Sequence, residues 1–130
     1  MQVIALLIEA QPLHAKFLGT VLRSLECSAV TAFTGVEGTA IALALSPELI
    51  IMDLFFPDAD GCDLIAAFRK HAETASTPII VVTAWTDPKA EAKCLSVGAD
   101  FYLKKPMRID DLKHTISAAI SLGMRHSVGA

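Results

Sequence analysis

The stretch Leu49-Ile50-Ile51-Met52-Asp53-Leu54-Phe55-Phe56-Pro57-Asp58-Ala59-Asp60-Gly61 decides the fold. Four apolar residues run without interruption into one carboxylate, and the chain then breaks into Pro, Asp and Gly. A short apolar run bounded by turn residues fits a strand covered on both faces, as in a parallel sheet. Asp53 then stands at the carboxyl end of that strand, the edge at which open α/β sheets bind ligands. An Asp at a strand end also caps turns in many proteins, so the residues gathered beside Asp53 have to decide its role.

Upstream, residues 2–8 form another apolar run and read as the first strand, without the basic segment or cleavage-type ending of a signal peptide. Pro12 opens a helix with Leu13, Phe17, Val21 and Leu25 at i+4 intervals, flanked by Leu18 and Leu22. Ser28 to Thr34 reads as a second strand. Gly35 to Leu45, rich in Ala and Leu, reads as a second helix weakened by Gly38. Downstream, Cys62 to Ala72 carries Leu64, Ile65 and Phe68 on one side, a third helix. Pro78 to Thr83 is a strand with no polar alternation. Asp87 and Pro88 then cap and open a fourth helix that Gly98 closes. Phe101 to Leu103 forms a fifth strand, and Leu112, Ile116, Ala119 and Ile120 mark a fifth helix ended by Gly123. Strands alternating with helices predict an α/β fold with a doubly wound, five-stranded parallel sheet and five helices. Residues 1–123 are expected to form one domain and 124–130 a flexible tail.

Of the 130 residues, 53% are hydrophobic and 19% charged, which suits one heavily buried domain and excludes disorder. No apolar run approaches the roughly 18 residues of a membrane span. A formal net charge of −3 gives no electrostatic footprint for nucleic acid or an anionic membrane. Cys27, Cys62 and Cys94 are odd in number and far apart, which argues against a disulfide framework and fits a reducing cytoplasm. His14, His71, His114 and His126 lack metal-ligand spacing and read as surface or helix-end residues. Asp58-Ala59-Asp60-Gly61 hints at a calcium loop, but Phe56 and Ala67 occupy its first and last ligand positions. No dinucleotide, P-loop or GxSxG motif is present.

In a parallel sheet the carboxyl ends of the strands share one edge. That edge would collect Glu9, Asp53, Thr83 and Lys105. Carboxylate, hydroxyl and ammonium together suit phosphoryl chemistry: a nucleophile or metal ligand, a phosphoryl-oxygen donor and a charge neutraliser.

At these residues the chain resembles the receiver domains of bacterial two-component response regulators, those of chemotaxis regulators included. Met52 to Gly61 is similar to the family's phosphoacceptor segment. Val82-Thr83-Ala84 and Gly98 to Pro106 are similar to its two later signatures, and the resemblance spans about residues 2–122. Thr83 follows Asp53 by thirty residues and Lys105 follows Thr83 by twenty-two, as the family has them. The resemblance implies a flavodoxin-like receiver fold in a cytoplasmic phosphorelay. It implies that Asp53 takes a phosphoryl group from a histidine kinase or phosphotransfer protein, the domain catalysing its own phosphorylation. Thr83 would bond the phosphoryl oxygen and Lys105 would pair with it. Pro106 would follow a peptide bond that the family often holds cis, and Tyr102 would be the switching aromatic. A downstream protein would read the switched face, and a homodimer is compatible with it; neither nucleic acid nor membrane is implied as a direct partner.

One position departs from the pattern. The family ends its first strand with two acids that hold Mg²⁺, and here the pair is Glu9-Ala10. Asp53, the Phe55 carbonyl, Glu9 and waters would form a weaker Mg²⁺ site, since Mg²⁺ is often held by one or two carboxylates. Glu9 and Asp53 against Lys105 leave one formal negative charge where the family has two. Phe55 and Trp85 would flank the path of a hydrolytic water, or serve as a partner-facing apolar patch. Two functions stand foremost at this point, a phosphoacceptor switch, supported by Asp53, Thr83 and Lys105, and a phosphorylation-independent pseudo-receiver, supported by Ala10; an unrelated flavodoxin-like small-ligand binder or phosphatase is a distant third.

Overall fold

A computed structural model describes the backbone of residues 2–85 and 87–128, with side chains described as far as residue 124. Its elements are β1 (Val3–Ile8), α1 (Pro12–Ser24), β2 (Cys27–Ala32), α2 (Gly35–Leu45), β3 (Leu49–Met52), α3 (Gly61–Lys70), β4 (Ile79–Thr83), α4 (Pro88–Val97), β5 (Phe101–Lys104) and α5 (Ile109–Val128). The strands form one parallel sheet in the order β2-β1-β3-β4-β5. The chain winds outward from β1 in both directions, so the order reverses between β1 and β3. That reversal opens a crevice at the carboxyl ends of the two strands.

Side chains alternate across a strand, and the sheet uses both sets. Leu6, Ile8, Ile50, Met52, Ile79 and Val81 pack with α2, α3 and α4 residues such as Ala42, Ile65, Phe68 and Cys94. Ala5, Leu7, Leu49, Ile51, Ile80 and Val82 pack with α1 and α5 residues such as Leu18, Leu22, Leu112 and Ile116. With apolar partners above and below, β3 and β4 are buried along their whole length. This is the physical reason their sequences show no polar alternation.

The helix ends follow local chemistry. Thr34, Asp60 and Asp87 accept hydrogen bonds from the first turns of α2, α3 and α4. Thr34 is a cap, and β2 therefore stops at Ala32 instead of reaching Thr34 as its β-branched composition suggests. Gly38 is a packing requirement of α2: a Cβ there would come within 2.8 Å of Ile8 Cδ1.

Two expectations are corrected. In α1 only part of the Leu13–Phe17–Val21–Leu25 stripe is buried: Val21 is in the core and Leu25 packs against it. Ala15, Leu18, Val21 and Leu22 face inward, while Leu13 is 80% exposed and Phe17 41%. Two apolar rows overlap on this helix, and the sheet accepts the one containing the small Ala15. In α5 the helix does not stop at Gly123 but runs to Val128. Glycine inside a helix costs about 1 kcal/mol relative to alanine. Here it permits close approach, because a Cβ at Gly123 would lie 3.1 Å from Pro78 Cγ. The tail expected over 124–130 is thus helical as far as 128, and Gly129 and Ala130 lie outside the described residues.

Candidate functional site at the carboxyl edge of the sheet

Register brings the two acids together. Ile8 pairs with Met52 across β1 and β3, so the next residues, Glu9 and Asp53, emerge side by side. The Asp53 N–H donates to the Ile8 carbonyl at 3.1 Å and the Glu9 N–H to the Ala32 carbonyl at 2.9 Å. Thr83 pairs with Lys104, and the Lys105 N–H donates to the Thr83 carbonyl at 2.8 Å, placing Lys105 one step past the strand ends. Its peptide bond to Pro106 is cis.

Glu9 is 1% exposed and Asp53 8%. Two buried carboxylates this close require a partner, because an uncompensated charge removed from water costs several kcal/mol. Lys105 supplies it. Its Nζ donates to Glu9 Oε1 at 2.8 Å and to Asp53 Oδ2 at 3.0 Å. The remaining oxygens accept backbone N–H groups, Glu9 Oε2 from Gln11 at 3.1 Å and Asp53 Oδ1 from Leu54 at 2.6 Å. Burial disfavours the Lys105 ammonium, but the hydrogen bonds and charges of Glu9 and Asp53 outweigh it, and the lysine pKa is raised. Ala10, beside Glu9, has no side-chain oxygen to bring to the cluster.

The third direction of the ammonium is taken by a residue that sequence spacing did not single out. His14 Nδ1 lies 3.0 Å from Lys105 Nζ and 4.0 Å from Glu9 Oε1. His14 is half exposed, as a surface histidine should be, yet it belongs to the cluster because Pro12 starts α1 directly over the edge. His71 and His114 are exposed, as expected.

Thr83 is fully buried, and its hydroxyl faces the loop after β4, accepting the Trp85 N–H at 3.3 Å. The Trp85 carbonyl accepts the Tyr102 hydroxyl at 3.0 Å. Thr83 and Tyr102 are therefore joined through one residue's backbone, a link that spans β4, the following loop and β5. Burial first, then the neighbouring thiols and carboxylates, push the Tyr102 hydroxyl up to about 12. The Phe55 and Trp85 rings stand 5.2 Å apart at 45°, both well exposed. They form one wall of a cleft of about 380 Å³ that Leu54, Phe56, Asp60 and Cys62 also line.

The other acids of this loop are occupied elsewhere. Both Asp58 oxygens accept the N–H groups of Gly35 and Val36 at 2.9 Å, which lowers its pKa, and Asp60 caps α3. Among the described residues, no group of three His, Cys, Asp or Glu side chains is arranged to hold a metal. The edge offers two carboxylates, not a closed cage.

Residues 5–117 match the family model of the response regulator receiver domain. The chain belongs to that family. Over 115 residues this receiver domain is 34% identical to the response regulator ArlR of Staphylococcus aureus, covering 88% of the chain and 51% of the relative. It is 33% identical over 115 residues to hybrid signal transduction histidine kinase G of Dictyostelium discoideum, covering 86% of the chain and 3% of the relative. The chain thus spans about half, or far less, of the length of these relatives. Among solved structures it resembles the receiver domain of the Pseudomonas aeruginosa sensor histidine kinase PA1611, described with a magnesium ion in its active-site cleft. That likeness has a TM-score of 0.85 and 26% identity, and covers 93% of this chain and 99% of that one. Among the described residues, no helix of this receiver domain is long and apolar enough to cross a membrane.

Proposed function

We propose that this two-component receiver domain takes a phosphoryl group onto Asp53 from a histidine kinase or phosphotransfer protein in the cytoplasm, and presents a switched face to a downstream protein. The observation that carries the reading is Lys105 Nζ, held between Glu9 and Asp53 at 2.8 and 3.0 Å at the point where strand order reverses. A carboxylate oxygen of Asp53 attacks phosphorus, and the bond to the donor nitrogen or oxygen breaks. Lys105 neutralises a phosphoryl oxygen while retaining Glu9. Thr83 reaches the phosphoryl group by giving up the Trp85 N–H, which loosens the link through Trp85 to Tyr102 and remodels the face of α4, β5 and α5. Phe55 and Trp85 shield the acyl phosphate from water.

Hard oxygen donors on adjacent strands fit Mg²⁺, which is commonly held by one or two carboxylates with waters. Glu9, Asp53 and the Phe55 carbonyl would hold it, more weakly than a site with a second acid in place of Ala10. When bound, it neutralises charge on the transferring phosphoryl group.

Incubation with acetyl phosphate, with and without Mg²⁺, tests this by intact mass. The expected result is Mg²⁺-dependent gain of one phosphoryl group, absent in Asp53→Asn. No gain at saturating Mg²⁺, either with acetyl phosphate or with a phosphorylated histidine phosphotransfer protein as donor, would instead support the second reading, which rests on Ala10: a binding module that works without phosphorylation.

A further inference from the structure

Cys62 lies in the first turn of α3 and Cys94 in the second half of α4, thirty-two positions apart in the chain. Their sulfurs face each other at 2.9 Å, both free, in the core between the two helices. Cys94 is fully buried, whereas Cys62 is 5% exposed and lines the cleft beside Phe55 and Trp85. Cys27 is buried in the opposite layer, under α1 and α5.

We infer that Cys62 and Cys94 are a site of reversible oxidation, forming an intramolecular disulfide that ties α3 to α4. Bond formation requires the sulfurs to close by about 0.9 Å to the covalent distance of about 2.05 Å, a rotamer-scale adjustment. With hydrogen peroxide as oxidant the step balances. The Cys62 sulfur attacks one peroxide oxygen, the O–O bond breaks, and a sulfenic acid and one water form. The Cys94 sulfur then displaces the sulfenic oxygen as a second water. Two thiols lose two electrons and two protons, and the peroxide is reduced to two waters. Cys62 takes the first step because the cleft reaches it, and Cys94 resolves it.

Burial sets the rate. It raises the Cys94 pKa first of all, and the adjacent Cys62 adds to the effect. Since the thiolate is the reactive form, oxidation is slow compared with an exposed low-pKa cysteine. Once formed, the bond is reduced slowly for the same reason. The disulfide would form within the core cluster against which Tyr102 packs. It would hold α4 in its present position whether or not Asp53 accepts a phosphoryl group.

The test is to treat the native protein with millimolar peroxide, then denature it, alkylate with N-ethylmaleimide and read intact mass and peptide map. The expected product takes one maleimide, on Cys27, and contains a linked Cys62–Cys94 peptide. Dithiothreitol restores three alkylation sites, and the oxidised form unfolds several degrees higher than the reduced one. Asp53→Asn behaves identically, which separates this outcome from the phosphoacceptor reading. Cys94→Ala yields no internal link, and Cys62 then accumulates as a sulfenic acid trapped by dimedone. Three maleimides after peroxide treatment, or conversion to sulfinic acids with no linked peptide, would overturn the inference.

Discussion

The two ends of the sheet differ in a way that volume does not reveal. At the amino end lies the larger hollow, about 780 Å³, bordered by Ile4, Pro47, Glu48, Glu73, Pro78 and Ile120. Its acids are exposed, and the Glu48 carboxylate accepts the N–H of Ile4 at 3.1 Å. The cleft at the carboxyl end has about half that volume, yet beside it two acids lie almost wholly buried on a single lysine. Water can solvate the amino-end charges at no structural expense. The carboxyl-end charges persist only because β1, β3 and β5 deliver them to one point. Charge held against its desolvation penalty marks a functional site better than empty space does.

Removing the cation should break this contrast most severely. Lys105→Met leaves Glu9 and Asp53 buried without a counter-charge. Urea unfolding without Mg²⁺ should show a loss of about 3 kcal/mol, the scale for removing one partner of a buried pair. Gly61→Ala acts on the backbone that carries the site, because the new Cβ would stand 2.5 Å from Leu54 Cα. Overpacking of that kind costs about 2 kcal/mol, and the same unfolding experiment should record it. Phe55→Asn opens the wall of the carboxyl-end cleft without touching the charges. Acyl-phosphate decay followed by mass should quicken about fivefold, equivalent to roughly 1 kcal/mol of barrier. An unchanged lifetime would end the shielding idea. At the other end, Glu73→Gln should alter stability by less than about 0.5 kcal/mol and leave phosphoryl incorporation unaltered.

Much of this architecture is legible from composition and punctuation. Runs such as Leu49–Met52 and Ile79–Val82 are apolar on both faces, and Asp87 and Gly98 bound α4 as their residue types suggest. The meeting of Glu9, Asp53 and Lys105 follows once the strands are parallel, since strand ends must then share an edge. Other features depend on how helices turn, which spacing alone leaves open. In α1, Leu13 and Phe17 are as apolar as Leu18 and Leu22, and only the packed sheet distinguishes the rows. His14 reaches Lys105 because of the same rotation. Gly123 carries the usual sign of a helix end, but contact with Pro78 gives it a place inside α5. The approach of Cys62 to Cys94 depends on how α3 and α4 pack, and their separation in sequence carries no trace of it.

The proposal that the carboxyl edge accepts a phosphoryl group, with metal affinity weakened by Ala10, makes a quantitative demand on Mg²⁺. Its most direct measurement is phosphoryl incorporation from acetyl phosphate across a Mg²⁺ titration, for the protein and for Ala10→Asp side by side. Incorporation is expected in both, with the half-saturating Mg²⁺ concentration lower by about tenfold or more in the variant, as a gain of about 1.4 kcal/mol implies. Incorporation in the variant alone, or in neither protein at any Mg²⁺ concentration, would contradict it.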